Sequence, residues 1–107
     1  MPFLTEDTLM PAVAQGRTLV LCRATWCPFC RAFEPVFRRR TGSLADLAVA
    51  ELVLDDEHSP LWSALNLAVV PSVLLFENGK ITRRLDGRLG VGLADGPLDT
   101  FLDRLPH

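Results

Sequence analysis

Three cysteines, Cys22, Cys27 and Cys30, carry the reactive chemistry of this 107-residue sequence. Cys27 and Cys30 stand in the run Trp26-Cys-Pro-Phe-Cys30. At the start of a helix, residues three apart share a face, so the two sulfurs can reach each other. Such a pair can cycle between dithiol and disulfide. The exchange needs a thiolate: a free cysteine has a pKa of about 8.5, and a helix N-terminus or a nearby cation lowers it. Cys27 is expected at a helix N-terminus, partly exposed, with backbone N–H groups facing its sulfur, and Cys30 is expected deeper. Arg31, one turn on, adds positive potential. A second thiol in the same chain speeds release of a mixed disulfide. A metal is not expected: zinc takes about four ligands, and beyond the pair only Cys22 and two histidines remain. Cys22 lies in an apolar run and reads as a small buried hydrophobe.

To hold that pair, a strand must lead into it and a helix must leave from it. Thr18-Leu-Val-Leu-Cys22 is a short continuous apolar run, the pattern of a strand buried on both faces in a parallel sheet. Pro28 suits the first turn of the helix that follows, since its missing N–H has no partner there. The helix should run to about Thr41, with Phe29, Ala32, Phe33, Val36 and Phe37 as an apolar stripe and Pro35 as a kink. Arg38, Arg39 and Arg40 fall where the helix dipole favours cations, and Gly42 ends the helix.

The remaining elements follow from the same signals. Thr5 should cap a first helix with Glu6 and Asp7 in its first turn; Pro11 shortens it and Gly16 ends it. Val49–Leu54 reads as a second strand closed by Asp55-Asp56, and Ser59-Pro60 opens a short helix reaching Leu67. Val69–Phe76 is a third strand, Asn78-Gly79 a type I′ hairpin turn, Lys80–Leu85 a fourth strand and Pro97–Leu105 a last helix. The first two strands flank a helix and should be parallel under the right-handed crossover rule. The expected fold class is α/β: a four-stranded mixed sheet flanked by helices on both faces.

Composition sets the outer bounds. With 49% hydrophobic residues, 22% charged residues and a net charge of −2, the chain reads as one domain over residues 1–107 and not as a disordered segment. The weak net charge gives no footing for nucleic-acid or membrane-surface binding. Its apolar runs are too short to span a bilayer. Glu6 and Asp7 interrupt the first apolar stretch, unlike a secretory signal, so a cytoplasmic protein is expected. An odd cysteine count there argues against a stapled framework, and a Cys-x-x-Cys pair there is more often redox-active or metal-binding.

Trp26-Cys-Pro-Phe-Cys30 lies between a buried strand and a helix. Val70-Pro71, an apolar strand and Phe76-Glu-Asn-Gly-Lys80 follow downstream. This combination resembles the thioredoxin-fold oxidoreductases over nearly the whole chain. The resemblance implies that Cys27 is the attacking thiol, Cys30 the resolving thiol, Pro71 a cis-proline facing the pair and Pro35 the kink proline. It also implies a substrate groove formed by Trp26, Pro28, Phe29, Val70, Pro71 and Gly87, with the Val70 backbone pairing an extended substrate strand. The dipeptide Pro28-Phe29 is closer to the glutaredoxin type than to the Gly-Pro of thioredoxins. Where thioredoxins bury an Asp, six residues before the first cysteine, this chain has Leu21, and the usual Lys partner is Glu51. Glu51 is therefore the nominated proton acceptor for Cys30, on the expectation that burial raises its pKa. Glutaredoxins carry a Lys where this chain has Ala24.

The expected activity is reduction of protein disulfides through the Cys27–Cys30 pair, with no cofactor beyond that redox-active disulfide. A reductase or glutathione would supply electrons, and the chain would act as a monomer. The alternatives are a glutathione-coupled, glutaredoxin-like reductase and a redox-inactive binding module on the same fold.

Overall fold

The computed structural model describes residues 2–44 and 46–106. In chain order the elements are β1 (Phe3–Leu4), α1 (Leu9–Val13), β2 (Arg17–Arg23), α2 (Pro28–Thr41), β3 (Ala48–Val53), α3 (Leu61–Ala64), β4 (Ser72–Glu77), β5 (Lys80–Asp86) and α4 (Asp95–Asp103). The strands form one sheet in the order β1-β3-β2-β4-β5. β3 runs parallel to both β1 and β2, whereas β4 is antiparallel to β2 and β5. The α2 crossover thus joins the parallel pair β2 and β3, as the strand–helix–strand order requires.

The sheet has five strands, which corrects the expected four. The additional strand, β1, pairs Phe3 with Glu51 and Leu4 with Leu52, and Glu51 N donates to Pro2 O at 3.0 Å. Two residues carry no alternation to read. The first helix also starts later than expected. Thr5 N donates to Thr8 Oγ1 at 2.8 Å, so the two threonines tie a turn together and α1 begins only at Leu9. Strand β4 starts at Ser72, not Val69. Pro71 has no N–H for the ladder, Val69 O accepts from Ser72 Oγ, and Val70 O faces Cys27. Helix α4 opens at Asp95, which leaves Pro97 in its first turn, where no partner for an N–H is needed. At the hairpin, Asn78 and Gly79 have φ of 52° and 85°, the two positive values a type I′ turn demands.

Each sheet face buries its own layer. Val20, Cys22, Leu52, Leu74 and Phe76 pack with Leu9 and Val13 of α1 and Leu61 of α3. Leu19, Leu21, Val73 and Leu75 pack on the other face with Phe33 and Phe37 of α2 and Leu98 of α4. The α2 stripe is narrower than its spacing suggests: Phe33 and Phe37 are buried, while Phe29 and Ala32 face outward. The first turn of α2 reaches past the end of β2, so Cys27 and Cys30 join Cys22, Ala24 and Val70 in the first layer. This puts the cysteine pair at the carboxyl end of a strand with a parallel neighbour, where sheets of this kind bind ligands.

Candidate active site

The loop from β2 to α2 is held by the loop that leaves β3. The Asp55 carboxylate accepts from Thr25 N at 2.7 Å and from Thr25 Oγ1 at 2.8 Å. Trp26 Nε1 donates to Asp55 O at 3.2 Å and Trp62 Nε1 to Asp56 O at 3.0 Å. Both indole N–H groups are satisfied by backbone, which leaves the ring faces free for apolar contact. Cys27 N donates to Ala24 O at 3.3 Å.

Cys27 is the N-cap of α2, in an extended conformation with φ −93° and ψ 114°. Its sulfur does what a capping oxygen does elsewhere: it accepts from Cys30 N at 3.2 Å. Pro28 occupies the first helical turn, so no N–H is lost there. The Cys27 thiol also faces Val70 O at 3.7 Å. Cys27 retains 4% of its surface and Cys30 1%. Cys30 is the deeper of the two, but Cys27 is itself buried, which corrects the expectation of partial exposure. The walls of Trp26, Phe29 and Val70 enclose it.

Burial pushes the Cys30 thiol up to about 12, and its contact with the Cys27 side chain adds to the rise. The Ala24 backbone and the Arg23 guanidinium pull the other way. Cys22 is also free, and burial raises it to about 12, which suits an inert packing thiol.

The Val70–Pro71 peptide bond is cis. A Cβ at Gly87 would lie 2.3 Å from Pro71 O, so only glycine lets β5 end against that bond. Gly87 N donates to Ser72 Oγ at 3.2 Å. An apolar groove of about 300 Å³ opens beside Cys27. Trp26, Cys27, Pro28, Phe29 and Val70 line it, with Trp62, Ala68, Val69, Arg88, Leu89 and Gly90. Cys30, Pro71 and Gly87 do not line it.

Glu51 is fully buried, beside Arg38 of α2 and within an ion cluster. Arg23 Nε donates to its Oε1 at 2.7 Å, and Arg38 Nε donates to its Oε2 at 3.0 Å. Glu34 joins through Arg23 at 3.5 Å and through Arg38, and Phe3 covers the two guanidiniums with its ring 5.5 and 5.9 Å away. Both Glu51 oxygens accept from guanidinium donors, so the geometry sets it in a structural ion cluster.

Asp55, Arg88 and Leu89 were not singled out from sequence. Asp55 lies two residues past the end of β3, a usual place for a residue that fixes a loop. Arg88 and Leu89 carry no comparable mark. Among the described residues, no group of three or more His, Cys, Asp or Glu side chains converges as a metal site; His107 lies outside them.

A thioredoxin family model matches residues 2–95. The sequence is 30% identical over 74 residues to a thioredoxin of Mycoplasma genitalium, covering 69% of this chain and 72% of that protein. It is 27% identical over 92 residues to a thioredoxin of Chlamydia muridarum, covering 86% and 84%. The fold superposes on thioredoxin f2 of Chlamydomonas reinhardtii with a TM-score of 0.80 at 17% identity, covering 100% of this chain and 98% of that one.

Proposed function

The chain belongs to the thioredoxin family and is a thiol–disulfide oxidoreductase acting on protein disulfides, and on that premise we propose that Cys27 attacks and Cys30 resolves. The observation that carries this assignment is the Cys30 N–H donating to Cys27 Sγ at 3.2 Å, at the N-terminus of α2 and beside an apolar groove. The unpaired N–H groups of the first helical turn face the sulfur at that position. The Cys27 thiolate attacks one sulfur of a client disulfide; that S–S bond breaks and the departing client thiolate takes a proton. The Cys30 thiolate then attacks Cys27 Sγ. The mixed disulfide breaks, the second client sulfur leaves and takes a proton, and the Cys27–Cys30 disulfide forms. Two electrons pass from the pair to the client, and the two protons come from the two thiols.

The order of events has physical support. In the dithiol, burial and Cys27 hold the Cys30 proton. In the mixed disulfide, Cys27 has neither charge nor proton, so its share of that effect disappears while Arg23 and the Ala24 backbone still favour the thiolate. Cys30 thus loses its proton more readily once Cys27 is engaged, while burial still holds its pKa up.

Trp26, Pro28, Phe29 and Val70 form the client groove in this reading, with Pro71 and Gly87 as its backing. A reductase is the electron donor ahead of glutathione, because the position of the glutaredoxin Lys carries the buried Ala24. The pair needs no further cofactor, and the chain works as one domain and a monomer. Cysteine usage supports a cytoplasmic setting; among the described residues no helix is long and apolar enough to cross a membrane. The test is reduction of insulin disulfides. Cys27→Ser should abolish turnover, and Cys30→Ser should accumulate a covalent mixed disulfide through Cys27 that reducing agent releases. Full turnover by Cys27→Ser would overturn the assignment.

A further inference from the structure

The segment between β5 and α4 closes on itself. Arg88 N donates to Gly92 O at 3.1 Å, and Gly92 N and Val91 N donate to Arg88 O at 2.8 and 3.0 Å. Gly90 and Gly92 have φ of 75° and 81°, which this tight closure needs. The loop rests on Phe29, which lies between the two cysteines. A Cβ at Gly92 would come 2.8 Å from Phe29 Cβ, so the seat has no room for a side chain. The tip points away from the core: Leu89 is 87% exposed and Val91 67%.

A backbone fixed this firmly under apolar side chains left in water is the form of a contact surface. Arg88 and Leu89 line the groove that holds Cys27, and Trp26 and Phe29 in that lining are also exposed apolar side chains. Arg88 is the single charged residue in the lining. The neighbouring Asp86 is held by Arg84 at 2.8 Å, and among the described residues no salt bridge engages Arg88, so its guanidinium can meet a carboxylate from outside. An apolar channel with one cation at its wall is complementary to an extended peptide with an apolar and an acidic side chain.

We propose that residues 88–92 select the client: Leu89 takes an apolar side chain and Arg88 a carboxylate from an extended protein segment, setting that segment's disulfide over Cys27. The inference rests on the oxidoreductase reading above and narrows its substrates to disulfides flanked by an apolar and an acidic residue. It also gives Gly92 a positioning role, since the loop keeps its place by contact with Phe29.

The test uses the reduced full chain in single turnover against two disulfide-bridged peptides, one flanked by Leu and Asp, the other by Ser and Lys. The wild type should reduce the Leu/Asp peptide faster by roughly tenfold, the scale of a well-made side-chain contact. Leu89→Ser should bring that ratio toward one, and Arg88→Glu should turn the charge preference toward Lys. Gly92→Ala, which lifts the loop from Phe29, should lose the ratio as Leu89→Ser does. A wild-type ratio near one, or a ratio kept by Leu89→Ser and Arg88→Glu, overturns the inference. So does a rate that falls with protein concentration, which would mean a second copy occupies the groove. Cys27→Ser separates the two claims: if it reduces both peptides at the wild-type rate, the oxidoreductase assignment itself fails.

Discussion

Glu51 shows how a residue's chemistry is decided by its partners. A carboxylate on the strand next to the active site suggests a base when only its position is known. In the fold its two oxygens accept from Arg23 and Arg38, and Glu34 shares both cations. Those partners lie 28 and 13 residues away in sequence, so no local pattern shows that they converge. The two cysteines are the opposite case. Their spacing, and the proline between them, is itself the local structure that sets one sulfur at a helix N-terminus, so their arrangement could be read directly. The Glu51→Gln variant tests the distinction. Losing one partner of a buried pair costs about 3–5 kcal/mol, and the low end applies because Glu34 still faces both arginines. Urea unfolding should report that loss. The rate at which Cys30 resolves a mixed disulfide should rise with pH along the same profile in variant and wild type. A displaced profile would make Glu51 the proton acceptor.

The elements that position the cysteines are those with strong local signals. The apolar run into Cys22 and the Pro28 start and Gly42 stop of the following helix become β2 and α2 within a residue or two. The Asn78-Gly79 turn fixes the β4–β5 hairpin. What escaped reading has its own physical reason. Strand β1 is two residues long and exists because β3 offers it an open edge. The late start of α1 depends on two threonines bonding each other. The grip of Asp55 on Thr25 spans 30 residues and joins two loops, where neither periodicity nor propensity applies. That grip ties the loop after β3 to Thr25, next to the Leu54 N–Arg23 O bond at 2.7 Å and the Trp26 Nε1–Asp55 O bond at 3.2 Å. Asp55→Ala should free the Thr25 amide and hydroxyl and cost about 1 kcal/mol, the scale of an exposed hydrogen-bonded contact. Hydrogen exchange at the Thr25 amide should speed up by about fivefold, while amides in the middle of α2 stay protected. Unchanged exchange at Thr25 would mean the loop is held by other contacts.

For the molecule as a whole, the buried thiols tie redox state to stability. Cys22 and Cys30 are raised from 9.0 to about 12 by burial. Well below pH 9 both are protonated in the folded and the unfolded chain, and they add no pH dependence. Between pH 9 and about 12 the unfolded chain loses protons that the folded chain keeps, so stability falls as pH rises. The slope is about 1.4 kcal/mol per pH unit for each fully titrating thiol. The chain has no tyrosine, which leaves this range largely to the thiols. Oxidation to the Cys27–Cys30 disulfide removes Cys30 from the titration and leaves Cys22 alone. The reduced protein should therefore lose stability above pH 9 about twice as steeply as the oxidised protein, and Cys22→Ala should flatten the oxidised curve. Urea unfolding at pH 8, 9 and 10, with and without a phosphine reductant, measures all three slopes. Equal slopes in the two redox states would mean that Cys30 ionises in the folded protein as it does in the unfolded chain. The resolving thiol would then be reactive before Cys27 is engaged, and the order of events proposed for turnover would have to be given up.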